Sequence, residues 1–230
     1  MDFGNRNLWV LFTWGDETVY VTETLLATWV VMAALILFTI VVRVRMRSFR
    51  DVPTGFQNAI EAAVAMMQGF VQDTLGEELE EWGGFFFGAF AFVLASNYSG
   101  MFGLRPPTSD LAVTAALATI TFVLIHGIGI ARQKGKYLKS YIEPTLLFLP
   151  INLIGELAKP LSLAFRLFGN ILSGVIIAGM VYSMLPMMLR FVLPNVVHAY
   201  FDVLVGALQA YVFTVLSMTF VRQKSSDIFS

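Results

Sequence analysis

One arginine, Arg166, stands in a run of Leu, Ala, Phe and Gly with no carboxylate in its own helical turn. A guanidinium keeps its proton up to a pKa of about 12 or more, so it stays charged even in a poorly polar setting. Such a charge in mid-bilayer costs about 2.5–3.5 kcal/mol on insertion scales and needs a partner or a water-filled path. The surrounding stretch also holds Glu156, Lys159, Ser162, Asn170 and Ser173. On a helix, Lys159 falls about 20° to one side of Arg166 and Asn170 about 40° to the same side. Ser162 and Ser173 fall about 40° and about 20° to the other, so five polar residues share one stripe, with Glu156 about 80° off it. A later apolar stretch repeats the pattern: His198, Asp202 and Gln209 stand at i, i+4 and i+11 on one face, with Gly206 between them.

A fixed cation, one or two carboxylates and several amides in apolar helices suit the movement of an ion rather than the making of a bond. Each residue also has a plainer reading. Lys159 can lay its stem along the helix and reach the interface. His198 can be a solvated residue at a helix start, Asp202 a buried structural partner, and Arg166 one half of a structural ion pair.

Other chemistry finds no support. The chain has no cysteine, which excludes disulfides, thiolates and cysteine-based metal sites. His126 and His198 lie far apart, so no metal site is expected. The run Gly129-Ile130-Ala131-Arg132-Gln133-Lys134-Gly135-Lys136 looks superficially like a phosphate loop. Its spacing is wrong, however, and Tyr137 stands where Ser or Thr is required. No nucleotide and no cofactor are expected, and a net charge of −1 does not suggest a nucleic-acid partner.

The elements that hold these residues follow from composition. Of 230 residues, 57% are hydrophobic and 13% charged, with mean hydropathy +0.72. Soluble domains carry about 25% charged residues, so lipid is the expected solvent for most of this chain. The stretch 1–23 is acidic and lacks the basic start of a cleavable signal, so the first span is expected to direct insertion. The pattern predicts a single all-α polytopic membrane domain with spans at 24–44, 83–102 and 111–131, and long apolar segments at 144–185 and 194–221. The segment 55–75, interrupted by Gln57, Asn58, Glu61, Gln68, Gln72 and Asp73, reads as an amphipathic surface helix. Glu77, Glu78, Glu80 and Glu81 read as a solvated turn, and Gly84 and Gly88 as a site of close helix contact.

Basic clusters at 43–50, 132–139 and 222–224 belong on the inner side, which gives five crossings with the N-terminus outside and the C-terminus cytoplasmic. The 144–185 segment would reach roughly 60 Å as one helix, about twice the hydrocarbon thickness. A steep tilt, a Pro kink or an interfacial start would accommodate it, and a steeply tilted hairpin with 194–221 is the expected arrangement.

The run Lys159-Pro160-Leu161-Ser162-Leu163-Ala164-Phe165-Arg166-Leu167-Phe168-Gly169-Asn170 closely resembles subunit a of F-type ATP synthases. Pro150-Ile151-Asn152-Leu153-Ile154 and Leu208-Gln209-Ala210-Tyr211-Val212-Phe213 resemble that family too, and with helix order the likeness covers essentially the whole chain. The resemblance implies an ion-translocating stator subunit with two offset aqueous half-channels, not itself a catalytic enzyme. Its implied partners are the rotor c-ring, peripheral-stalk b subunits, the rest of the synthase and membrane lipid, in a bacterial inner membrane. Arg166 would face the rotor carboxylate. Asn170 and Gln209 map beside it, and Glu156, Asp202, Asn97, Ser173 and His198 are half-channel candidates. Two departures stand out: Val175 and Gly100 occupy positions where relatives often carry ionisable groups. The coupling ion, proton or sodium, is left open because its ligands lie on another chain. The alternative is a stand-alone secondary ion transporter, which would show an internal repeat. None is visible.

Overall fold

The structure is a computed structural model, and it describes residues 7–14, 17–134, 137, 139, 141–142, 145–184, 186, 196–197 and 199–226. Five segments are long and apolar enough to cross a membrane: Glu23–Ser48, Glu77–Phe102, Leu111–Gln133, Leu146–Met184 and Tyr200–Ser225. The helices behind them are α1 (Glu23–Arg45), α3 (Gly83–Tyr98), α4 (Leu111–Gln133), α5 (Leu149–Met184) and α6 (Gly206–Ser226). Helix α2 (Phe56–Leu75) is not among the five. Gln57, Met67, Val71 and Leu75 form its buried side, as suits a helix lying on a surface.

An element that the all-α reading lacked precedes α1. Strands β1 (Asn7–Trp14) and β2 (Glu17–Thr22) pair antiparallel. The composition of Asn7–Thr22 explains it, because Trp, Val, Phe, Thr and Tyr favour a strand over a helix. Thr22 then caps α1, accepting from the Leu25 amide at 3.3 Å. Glu23 in the first turn and Arg43 and Arg45 in the last complement the helix dipole.

The described residues cluster into two compact units, and α3, α4, α5 and α6 each contribute a part to both. The first comprises 1–49, 90–113 and 167–211. Its interior includes Ala27, Val31, Val93, Leu167 and Ile171, together with an unusual share of small polar residues: Thr24, Ser96, Asn97, Ser99, Thr108 and Ser109. Asp110 ties two helix starts together there. One carboxylate oxygen accepts from the Ala112 amide (2.9 Å) and the other from Thr24 Oγ1 (2.7 Å).

The second unit comprises 50–89, 114–166 and 212–230. Phe86, Leu79, Phe213, Met218 and Val221 are among its fully buried side chains. The acidic turn is anchored rather than simply solvated: Arg132 pairs with Glu78 Oε2 at 3.2 Å and also donates to the Glu78 carbonyl. Arg222 donates to the carbonyls of Asp73 (3.3 Å) and Thr74 (3.0 Å), satisfying acceptors that the end of α2 leaves open. The expected contact at Gly84 and Gly88 does not form, since a Cβ on either would meet nothing within 4 Å among the described residues. Close approach falls instead on Gly83, whose Cβ would lie 3.2 Å from Val71.

Helix α5 runs for 36 residues, about 54 Å at 1.5 Å per residue, and continues through Pro160. Of the 144–185 segment, a short 3₁₀ turn (Leu146–Phe148) precedes it, so the segment is one helix and not two spans joined by a turn. Before α6, residues Ala199–Val205 form a π-helical turn. The connection between α5 and this turn lies largely outside the described residues.

Candidate functional site

Along α5 the exposed and buried residues separate cleanly. Leu163, Ala164, Leu167, Ile171, Gly174 and Ala178 are buried, while Ser162, Arg166, Asn170 and Ser173 are exposed. The polar stripe predicted from helical spacing therefore faces outward, away from the packed side of its own helix. Among the described residues, Arg166 makes no ion pair. Ser173 returns its hydroxyl to the Gly169 carbonyl at 2.6 Å, satisfied within the helix.

Lys159 departs from the stripe. Its ammonium sits 3.0 Å from Glu156 Oε1, and Lys224 Nζ reaches the same oxygen at 2.8 Å. Glu156 is 9% exposed, so this is a largely buried carboxylate held by two cations. Lys159 thus finds an anion one turn away on its own helix. These residues line a cavity of about 410 Å³ with Tyr141, Asn152 and Gly155. Lys224 also lies over the rings of Tyr141 and Tyr137, 4.9 and 5.5 Å from their centroids. The tyrosine hydroxyls are 2.8 Å apart, and Tyr141 reaches His126 Nε2 at 3.3 Å. His126 Nδ1 sits 2.9 Å from the Phe122 carbonyl, the position of a donor, which leaves Nε2 to accept. Burial, and then the bond to Tyr141, pushes the Tyr137 hydroxyl above its ordinary value, so it stays protonated. Neither Lys224 nor the tyrosines stood out in the sequence as members of this cluster. A lysine in a terminal basic cluster looks the same whether it sets topology or closes a buried ion pair.

In the first unit, Asn170 Nδ2 donates to Gln209 Oε1 at 2.6 Å, joining α5 to α6. Gln209 is 4% exposed, and its own amide nitrogen has no partner among the described residues. Farther along, a Cβ on Gly174 would lie 3.0 Å from the Phe201 ring. The two pairings, 170 with 209 and 174 with 201, run in the antiparallel sense.

Asp202 does not join Gln209. The π turn that contains Asp202 closes on i+5 rather than i+4, which breaks the phase that an uninterrupted α-helix would give. Asp202 instead lines a separate cavity of about 640 Å³ with Gly100, Val175, Glu23, Arg105 and Tyr182. A Cβ on Gly100 would lie 2.9 Å from Asp202 Oδ2, so the missing side chain at 100 is the room that Asp202 occupies. Glu23 and Arg105 are the other charged residues of this wall. Asn97 is engaged at both ends of its amide nearby, accepting from Thr108 Oγ1 (2.6 Å) and donating to the Gly206 carbonyl (2.8 Å). His198 lies outside the described residues.

The stretch of α5 that carries the exposed arginine has a recognisable sequence signature. Residues 25–222 match the family model for the ATP synthase A chain. This chain belongs to that family. It is 35% identical over 206 residues to ATP synthase subunit a 2 of Bradyrhizobium sp. (strain BTAi1), covering 88% of each chain. It is 33% identical over 213 residues to ATP synthase subunit a of Moorella thermoacetica, covering 92% of this chain and 93% of the relative. It is 31% identical over 217 residues to the chloroplastic ATP synthase subunit a of Stigeoclonium helveticum, covering 89% and 85%. Membership makes the chain a multi-pass membrane subunit of the ATP synthase complex, the ion-translocating stator part rather than the catalytic part. Nothing in these likenesses favours the stand-alone transporter.

Proposed function

We propose that Arg166 is the fixed stator charge against which rotor carboxylates are loaded and unloaded, and that the two cavities are the ends of two half-channels. The observation that carries this reading is the outward-facing stripe of Ser162, Arg166, Asn170 and Ser173 on a helix whose opposite side is packed. A cation without an ion pair among the described residues calls for an anion from another subunit. A carboxylate on each c-ring subunit meets that need, and the cation also bars direct leakage between the half-channels. Gln209, tied to Asn170 through its oxygen and with a buried amide nitrogen that has no partner among the described residues, suits the same oxygen-bearing visitor.

The cavity at Asp202 is walled by the start of α1 and the turn around Gly100–Pro106, on the side where the charge rule puts an external N-terminus. The cavity at Glu156 includes Lys224, from a basic cluster that the same rule puts in the cytoplasm. A cell membrane with its C-terminus inside is the setting that fits. At about 54 Å, α5 exceeds the roughly 30 Å of hydrocarbon, so it lies steeply tilted along the rotor, with α6 beside it. Peripheral-stalk b subunits complete the stator, and the chain itself binds no nucleotide.

The absence of cysteine makes a direct test clean. Cysteines at Ser162 and Ser173 are expected to form disulfides with a cysteine placed beside the rotor carboxylate, in the assembled complex. Cysteines at Ala164 and Ala178, both buried, are not. Cross-linking from the buried pair but not from the stripe would refute the assignment of this face to the rotor.

A further inference from the structure

Asp202 owes its position to a local geometry that sequence alone does not maintain. A π turn is rare, occurs mostly as a single turn inside an α-helix and recurs at functional sites. Unfavourable local geometries persist where the surroundings over-determine them. Here the surroundings include α5, through Gly174 against Phe201, and one short stretch, Asn97 to Gly100. Asn97 is 1% exposed and gives its amide hydrogen to the carbonyl of Gly206, the residue that directly follows the π turn. Thr108, with no exposed surface, donates to Asn97 Oδ1 and so anchors the end of the amide that does not face Gly206. The approach is close enough that a Cβ on Gly206 would lie 3.0 Å from Asn97 Cβ. Three residues on, Gly100 forms the wall against which the Asp202 carboxylate rests.

We propose that Asn97 and Thr108 form a positioning clamp. They lock the carbonyl at the end of the π turn and thereby hold the Asp202 carboxylate in the cavity, while Asn97 itself carries no ion. The inference rests on the reading of Asp202 as a group on the ion path. Asn97 has both ends of its amide committed inside the protein, which suits a clamp and not a station that exchanges partners with each passing ion. Thr108 thereby becomes a determinant of transport. The Gly206 carbonyl, which only accepts, keeps the amide nitrogen turned toward it, and the Thr108 hydroxyl anchors the oxygen at the other end.

The test uses the whole synthase complex in vesicles, with ATP-driven ion uptake and subunit content measured together. Asn97→Leu and Thr108→Val are expected to slow uptake about tenfold, as loss of a buried hydrogen bond with an orphaned partner does. Thr108→Ser, which keeps the donor, restores most of the rate. A second readout follows the carboxylate position itself. With Asp202→Cys in this cysteine-free chain, the rate of labelling by a water-soluble maleimide changes several-fold when Thr108→Val is added. Labelling of Phe102→Cys, an exposed site off the π turn, does not change. If Asp202→Asn alone pumps at the wild-type rate, Asp202 is off the path and the clamp falls with it. If Asp202→Asn is slow but Thr108→Val neither slows uptake nor alters labelling at 202, the clamp alone is overturned. A Thr108→Ser variant as slow as Thr108→Val also overturns it.

Discussion

Replacement of Arg166 by alanine should separate assembly from function more sharply than any other change in this chain. Arg166 is exposed on α5 and makes no ion pair among the described residues. Substitutions at such positions usually shift stability by no more than about 0.5 kcal/mol, and removal of an unpaired cation relieves the membrane of a charge. The alanine variant is therefore expected in the complex at near-normal amounts. The functional loss is set by a different quantity. Two unit charges about 4 Å apart at an effective dielectric of about 20 attract by about 4 kcal/mol. Without that attraction the ionised rotor carboxylate is disfavoured opposite position 166 by roughly a thousandfold, since 1.4 kcal/mol is about tenfold at room temperature. ATP-driven ion uptake by reconstituted vesicles should fall below detection, while passive leak persists or rises. Arg166→Lys should rescue poorly, because an ammonium can shed its proton when desolvated and lacks the planar fork. Alanine at 166 with near-normal uptake would end the electrostatic account. Loss of the subunit from the complex would show instead that Arg166 is a structural ion-pair member.

Two further outcomes follow from the ion clusters and the glycines. Glu156→Gln leaves Lys159 and Lys224 facing each other without their shared anion. Loss of one partner from a buried pair costs about 3–5 kcal/mol, reduced here because Lys159 is about a quarter exposed. The expected result is less assembled subunit on a native gel, with Lys159→Met milder because Lys224 still balances the carboxylate. Equal assembly of Glu156→Gln and wild type would argue that the triad contributes no stability. Gly100→Ala puts a Cβ 2.9 Å from Asp202 Oδ2 and should slow ATP-driven uptake several-fold, whereas Gly88→Ala, with nothing within 4 Å, should not. Matching rates for the two variants would detach Gly100 from the function of Asp202.

What the sequence determined rests on the shortest-range physics. Apolar runs long enough for the hydrocarbon fixed five crossings. The interruptions in 55–75 kept α2 off that list, and 3.6-residue periodicity placed Ser162, Arg166, Asn170 and Ser173 on one stripe. The family was legible in the arginine motif because a charge and amides at fixed helical spacing in apolar sequence have few other uses. Tertiary structure decided the rest, wherever two residues distant in sequence had to meet. Lys224 closes on Glu156, and Thr108 fixes the amide of Asn97; no local pattern announces either. The parting of Asp202 from Gln209 has a related cause. Periodicity assumes one residue advances every helix by the same angle, and the π turn at Ala199–Val205 violates that assumption. Its extra residue is held by contacts from another helix, so the direction of the carboxylate was settled by packing and could not be read along the chain.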